Sequence, residues 1–139
     1  MYLIQLDPNG EHFYRIPKDF PLEALVRQYR SSLKTFSEEK SMLALSQYSE
    51  AAFQLYTKLF PGDITTQSVL IIPDGVLGYL SFSSLLKTKP DDPNDPRGYD
   101  YLLWHHDIGY SYSANLFLEL KGRIQNASGK SFDLRTGIQ

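Results

Sequence analysis

The segment Ser68-Val-Leu-Ile-Ile-Pro-Asp-Gly-Val-Leu-Gly-Tyr-Leu-Ser-Phe-Ser-Ser-Leu-Leu86 constrains the fold of this chain more than any other. Val69, Leu70, Ile71 and Ile72 form an uninterrupted apolar, mostly β-branched run, the pattern of a strand covered on both faces. Pro73-Asp74-Gly75 ends it, because proline lacks a donor and sets φ, Asp bonds back to its own backbone, and Gly admits φ > 0. Leu77, Leu80, Phe82, Leu85 and Leu86 then return to the core. A strand buried on both sides needs layers above and below it, so the predicted class is α/β.

The flanking sequence supplies such layers. Tyr2 to Leu6 and His12 to Ile16 flank Asp7-Pro8-Asn9-Gly10, a cluster of turn formers, which predicts a β-hairpin over 2–16. Asp19 is placed to cap a helix with Pro21 in its first turn, and Leu22, Leu25, Val26, Tyr29 and Leu33 recur at helical spacing, giving a helix over 20–34. Ser37 caps a second helix over 38–60, with Glu38 and Glu39 complementing the dipole of its first turn. Its apolar face carries Met42, Leu45, Ala52, Leu55, Tyr56, Leu59 and Phe60, and Pro61-Gly62-Asp63 stops it. The core strand spans 68–72. Residues 88–100, dense in Lys, Pro, Asp, Asn and Gly, read as a mobile loop. A strand over 101–112 and a helix over 113–121 follow, and 122–139 is a polar tail, flexible or swapped onto a partner.

Bulk properties exclude several functions. A chain of 139 residues with 42% hydrophobic content buries one core and is short for two ordinary domains. With 14 basic and 16 acidic residues, there is no electrostatic footprint for nucleic acid or an anionic membrane. No cysteine is present, hence no disulfide framework, thiol nucleophile or Cys-type zinc site. No window approaches the ~20 apolar residues of a membrane-spanning helix, and the chain reads as cytoplasmic.

The residues that invite chemistry have plainer readings. His105 and His106 are neighbours that, on a strand, point to opposite faces and do not chelate one ion, so no metal site is assigned. Asp74 lies at the carboxyl end of the core strand, where ligands gather in open α/β sheets, but Pro-Asp-Gly is first of all a turn. Ser81, Ser83 and Ser84 lack a Gly-x-Ser-x-Gly elbow. Neither Gly-x-x-x-x-Gly-Lys nor Gly-x-Gly-x-x-Gly occurs, so no phosphate loop or cofactor is implied. The ten tyrosines read mostly as core residues with a polar tip.

Together with Tyr101-Leu-Leu-Trp-His-His-Asp-Ile-Gly-Tyr-Ser-Tyr-Ser-Ala-Asn-Leu116, the Ser68–Leu86 segment resembles the front half of a CHAT domain, the caspase-related bacterial module often found behind tetratricopeptide repeats. Pro73, Asp74, Gly75, Leu77, Leu80, Phe82, Leu85, Tyr101, Leu102, Ile108, Tyr110, Ser113 and Ala114 fall in the order of that family's pattern. Ser81 stands where the family usually has the proline of Leu-Pro-Phe, and Asn115 where it more often has Ser or Thr. The resemblance is strongest from Ser68 to Leu118 and extends loosely to the start of the chain.

The resemblance implies a partial caspase-like sheet flanked by helices. It also implies a parent cysteine peptidase whose His-Gly histidine deprotonates a thiol, both lying beyond the Ile-x-Tyr-x-x-Ser-Ala segment. None of the three histidines here sits in a His-Gly motif. The expectation is therefore a non-catalytic amino-terminal part of such a protein, cut from a larger chain or a natural remnant, with no catalytic residue of its own. The alternatives are a pseudo-enzyme or interaction scaffold, and a free-standing α+β domain of fortuitous similarity. A core strand lacking its far neighbour implies protein partners or self-association through an exposed sheet edge.

Overall fold

A computed structural model describes residues 1–116, 118, 119, 122 and 123. The chain opens with strands β1 (Tyr2–Asp7) and β2 (Gly10–Arg15), paired antiparallel with Ile4 opposite Phe13 and Leu6 opposite Glu11. The Asp7 carboxylate accepts from the Asn9 backbone N–H at 2.8 Å, closing the turn where the sequence placed it. That contact, with help from Gln5 and His12, holds the Asp7 carboxyl below the usual range. The hairpin is anchored at its open end by bonds between Met1 and Ile16 and at its inner face by Tyr14, which approaches Gly62 so closely that any Cβ there would strike its hydroxyl.

Helix α1 spans Leu22–Glu39 and α2 spans Met42–Leu59. Both helices were expected, but their caps differ. Pro21 occupies the N-cap of α1 without a side-chain bond, and Asp19 instead pairs with Lys58 at 3.9 Å. Ser37 caps nothing: α1 runs through it to Glu39, so Glu38 and Glu39 lie in a last turn rather than a first. Lys40 stops α1 in the left-handed region (φ 54°), its N–H bonded to the Phe36 carbonyl at 2.9 Å. Ser41 then caps α2 by accepting from the Ala44 N–H at 3.3 Å.

The two helices pack on each other, with Leu25, Val26 and Tyr29 from α1 meeting Leu45, Tyr48, Ala51, Ala52, Leu55 and Leu59 from α2. Met42, assigned to the apolar face from its spacing, is 56% exposed. The third wall of the core is irregular chain. Strand β3 (Ser68–Ile71) delivers the backbone to two short 3₁₀ turns, Gly75–Tyr79 and Phe82–Ser84, from which Leu80, Phe82, Leu85 and Leu86 enter the core. β3 is half-buried throughout, not covered on both faces as its composition suggested, and Ile72 is 42% exposed. The main packing is helix on helix, with Ile71 of β3 touching only the margin of that core.

Strand β4 is Asp107–Tyr110, shorter than the expected 101–112 strand, and pairs parallel with β3, Val69 opposite Ile108 and Ile71 opposite Tyr110. Residues Leu102–Trp104 form a 3₁₀ turn instead, which carries Leu102 into full burial while Tyr101 bridges antiparallel to Leu86. The fold is mixed helix and strand with two separate two-stranded sheets among the described residues. Helical backbone begins at Ala114, where the Ser113 hydroxyl accepts from the Leu116 N–H at 3.4 Å. Residues 117, 120, 121 and 124–139, which hold parts of the expected 113–121 helix and most of the expected tail, lie outside the described residues. Among the described residues no helix is long and apolar enough to cross a membrane.

Residues 88–100 form a loop, as expected, with local turns and one buried side chain in it. Tyr99 is fully buried, and its hydroxyl donates to the Pro93 carbonyl at 2.6 Å. Asp92 and Asp95 accept backbone N–H bonds from Asn94 and Arg97, and Arg97 grips Asp95 through two nitrogens at 2.9 Å each. One buried aromatic thus ties the middle of this polar run to the core.

Candidate functional site at the end of the parallel pair

The resemblance positions from Pro73 to Leu85, and Tyr110, lie where β3 and β4 end. Gly75 turns the chain with φ 58°, a conformation that a β-carbon disfavours. Asp74, exposed beside it, uses its carbonyl, not its carboxylate, to accept from the Leu77 N–H at 3.2 Å. Pro73 and Leu77 are half-buried, and Leu77 joins the core margin. Leu80 and Phe82 are each 5% exposed and Leu85 is fully buried. Phe82 meets Phe60 edge-on at 6.2 Å and Tyr110 at 6.3 Å. The Tyr110 hydroxyl accepts from the Ser83 N–H at 3.3 Å, so the end of β4 is tied to the turn after β3. Ser81, at the family's proline position, leaves its hydroxyl to Ser83 Oγ at 3.0 Å. Ser113 and Ala114 lie further along, at the start of the helical segment, and Ala114 is exposed.

Behind this unit, tyrosine rings run from the helices into the loop: Tyr29 to Tyr48 at 5.5 Å, Tyr48 to Tyr99 at 6.1 Å, Tyr99 to Tyr101 at 5.8 Å and Tyr101 to Trp104 at 5.4 Å. Their hydroxyls satisfy the carbonyls of the irregular chain. Tyr48 donates to the Ser84 carbonyl at 2.6 Å, and Tyr29 donates to the Ser81 carbonyl at 3.2 Å and shares a hydrogen bond with Ser84 Oγ. Burial raises the Tyr29, Tyr48, Tyr99 and Tyr101 phenols above their ordinary range, Tyr48 most strongly. The reading of tyrosine as a core residue with a polar tip fits this row, while Tyr2, Tyr79 and Tyr112 stand in the open.

Nothing here assembles a nucleophile with a base. The bonds of Ser81, Ser83 and Ser84 go to one another, to backbone and to tyrosine, with no histidine or carboxylate among their described partners. His105 Nε2 donates to Asp100 Oδ1 on the surface, whereas His106 Nδ1 donates to the Thr66 carbonyl at 2.8 Å. The His106 Nε2 is buried without a hydrogen-bond partner among the described residues. The two imidazoles thus serve separate partners, and no group of three or more His, Asp or Glu side chains able to hold a metal occurs among the described residues.

No family model, curated protein or solved structure matches this chain. The geometry has to speak for itself.

A second feature escaped the sequence reading. A cleft of about 550 Å³ lies between α1 and the 3₁₀ turn after Gly75, floored by Val26 and Val76. Arg27, Arg30 and Lys34 line it against the single acid Glu23, and the Arg30 guanidinium sits over the Tyr79 ring at 5.0 Å. Three cations against one acid give the cleft a local excess of positive charge. Its signal was the i, i+3, i+7 spacing of the three cations, which sequence alone cannot tell from a solvated helix face.

Proposed function

We propose that this chain is the amino-terminal, non-catalytic part of a CHAT-like domain, a partial caspase-like sheet whose parent is a cysteine peptidase. One observation supports this reading above the others: Leu77, Leu80, Phe82 and Leu85 turn into one core directly after β3, and Tyr110, at the end of its parallel partner β4, is tied to them through the Phe82 ring and the Ser83 N–H. β3 pairs with β4 on one side, and no described strand occupies the other. Gln67 and Ile71 offer their carbonyls to β4, so Ser68, Leu70 and Ile72, of opposite parity, present their backbone groups to that far edge. In the proposed parent a further strand fills it. The cysteine-free composition fits a reducing, cytoplasmic setting. A thiolate attack on a peptide carbonyl would use groups outside this chain, which positions the sheet and turn but moves no proton.

The test is to read the coding sequence downstream of Gln139, express the continuous product and treat both forms with a thiol-directed activity probe. A His-Gly motif followed by a strand-end cysteine, with labelling of the long form alone, is the expected result. A continuous product lacking both residues would overturn the peptidase parent in favour of an interaction scaffold.

A further inference from the structure

The β1–β2 hairpin exposes the more apolar of its two faces. Its inner face carries Leu3 and Tyr14 together with the polar Gln5, Asp7 and His12, whereas Tyr2, Ile4, Leu6 and Phe13 point outward at 65%, 65%, 70% and 66% exposure. Four large apolar side chains on one small sheet form a contiguous patch, with the Tyr2 and Phe13 rings already 5.3 Å apart. A patch of this kind marks an interaction surface rather than scattered surface hydrophobes. Amphipathic hairpins ordinarily turn that face to their own core, and a two-stranded sheet alone is marginal in water.

The charges on the same face say what covers it. Cross-strand pairs divide it into three rows: Tyr2 with Arg15 at the open end, Ile4 with Phe13 in the middle, and Leu6 with Glu11 at the tip. Arg15 and Glu11 are both exposed and too far apart along β2 to pair within one chain. Consider a two-fold axis between two hairpins, perpendicular to the strands and level with the middle row. It lays β1 over β1 and β2 over β2 with directions reversed. Phe13 then meets Phe13, Tyr2 meets Leu6, and each Arg15 meets the Glu11 of the other copy. The alternative axis along the strands sets Glu11 against Leu6 and pairs no charge.

We propose that this outward hairpin face is the self-complementary interface of a two-fold dimer of this chain, two sheets packed about 10 Å apart with Ile4 and Phe13 at the centre. The aromatic centre and charged rim match how interfaces distribute their side chains. This dimer is independent of the β3 edge and of the peptidase reading.

Sedimentation velocity of the full chain across a wide concentration range tests it. The expected result is a monomer–dimer equilibrium that Phe13→Asp weakens by at least about thirtyfold. Because Phe13 is largely exposed, its replacement leaves circular dichroism and thermal unfolding of the monomer unchanged. If that variant nevertheless misfolds, the charged rows decide. Glu11→Arg and Arg15→Glu each weaken the dimer about fivefold, and the double exchange restores it, a reciprocity that only apposition of the two rows produces. A monomer at every concentration overturns the proposal. So does a dimer indifferent to these variants and broken instead by substitutions in β3. A monomer whose hairpin face becomes accessible to a hydrophobic dye only on removal of residues 124–139 assigns the face to that segment and overturns it equally.

Discussion

The two small sheets are exposed in different directions. Among the described residues the antiparallel hairpin has nothing over its more apolar face, whereas the parallel pair reaches the margin of the core through Ile71 and has no strand along the far edge of β3. A missing layer calls for apolar area and complementary shape, and a missing strand calls for backbone donors and acceptors in register. One molecule therefore presents two surfaces with different chemistry, both hung on one helical core.

That core sets the largest expected effect. Leu55 is fully buried in α2, and Leu55→Ala should cost roughly 2–5 kcal/mol through the cavity it leaves. Urea unfolding followed by probes in the hairpin and in the β3–β4 pair should show both lost in one transition. Survival of either sheet past the other would break the picture of a shared support.

Next come the sheets themselves. Ile71, half-buried against the core, should cost about 1–2 kcal/mol on replacement by alanine, less than a fully enclosed isoleucine. Ile4→Ala, measured where the chain is monomeric, should change stability by less than about 0.5 kcal/mol because its side chain is 65% exposed. Equal costs would erase the distinction between a sheet packed on the core and a sheet facing out.

The tyrosine row gives a smaller, pH-dependent effect. In the unfolded chain the phenols ionise near pH 10, while burial holds those of Tyr29, Tyr48, Tyr99 and Tyr101 protonated to higher pH. The unfolded state then binds fewer protons, so stability is intact below pH 10 and falls as pH rises above it. Tyr48→Phe should cost about 1 kcal/mol at neutral pH, for the lost bond to the Ser84 carbonyl, and should flatten the alkaline decline. An unchanged alkaline slope would mean that Tyr48 is not shielded from water.

Local chemistry was legible in the sequence wherever it was unambiguous. Pro8-Asn9-Gly10 announced the hairpin turn, Pro73-Asp74-Gly75 the end of β3, and leucine spacing both helices. The break between helices was not legible, since Ser37 and Ser41 are equally good caps by composition and α1 is stopped by a lysine in the left-handed region. Hairpin alternation reveals two faces but not which one the rest of the molecule covers, and the more apolar one was left outside. Composition gave the 88–100 loop but not its internal order, because its polar average hides Tyr99 and two aspartate-capped turns. The motif residues around Gly75 were nameable in advance, but their packing against Tyr110 was not, because it depends on parallel pairing across nearly forty residues.

The open edge of β3 is the central claim, and residue-resolved amide hydrogen exchange on the monomeric chain tests it most directly. Val69 and Ile71, whose parity faces β4, should be protected, while the amides of Leu70 and Ile72 on the far edge should exchange much faster. Equal protection of Leu70 and Ile72 would mean that the chain already covers that edge itself, and would contradict a sheet awaiting its next strand.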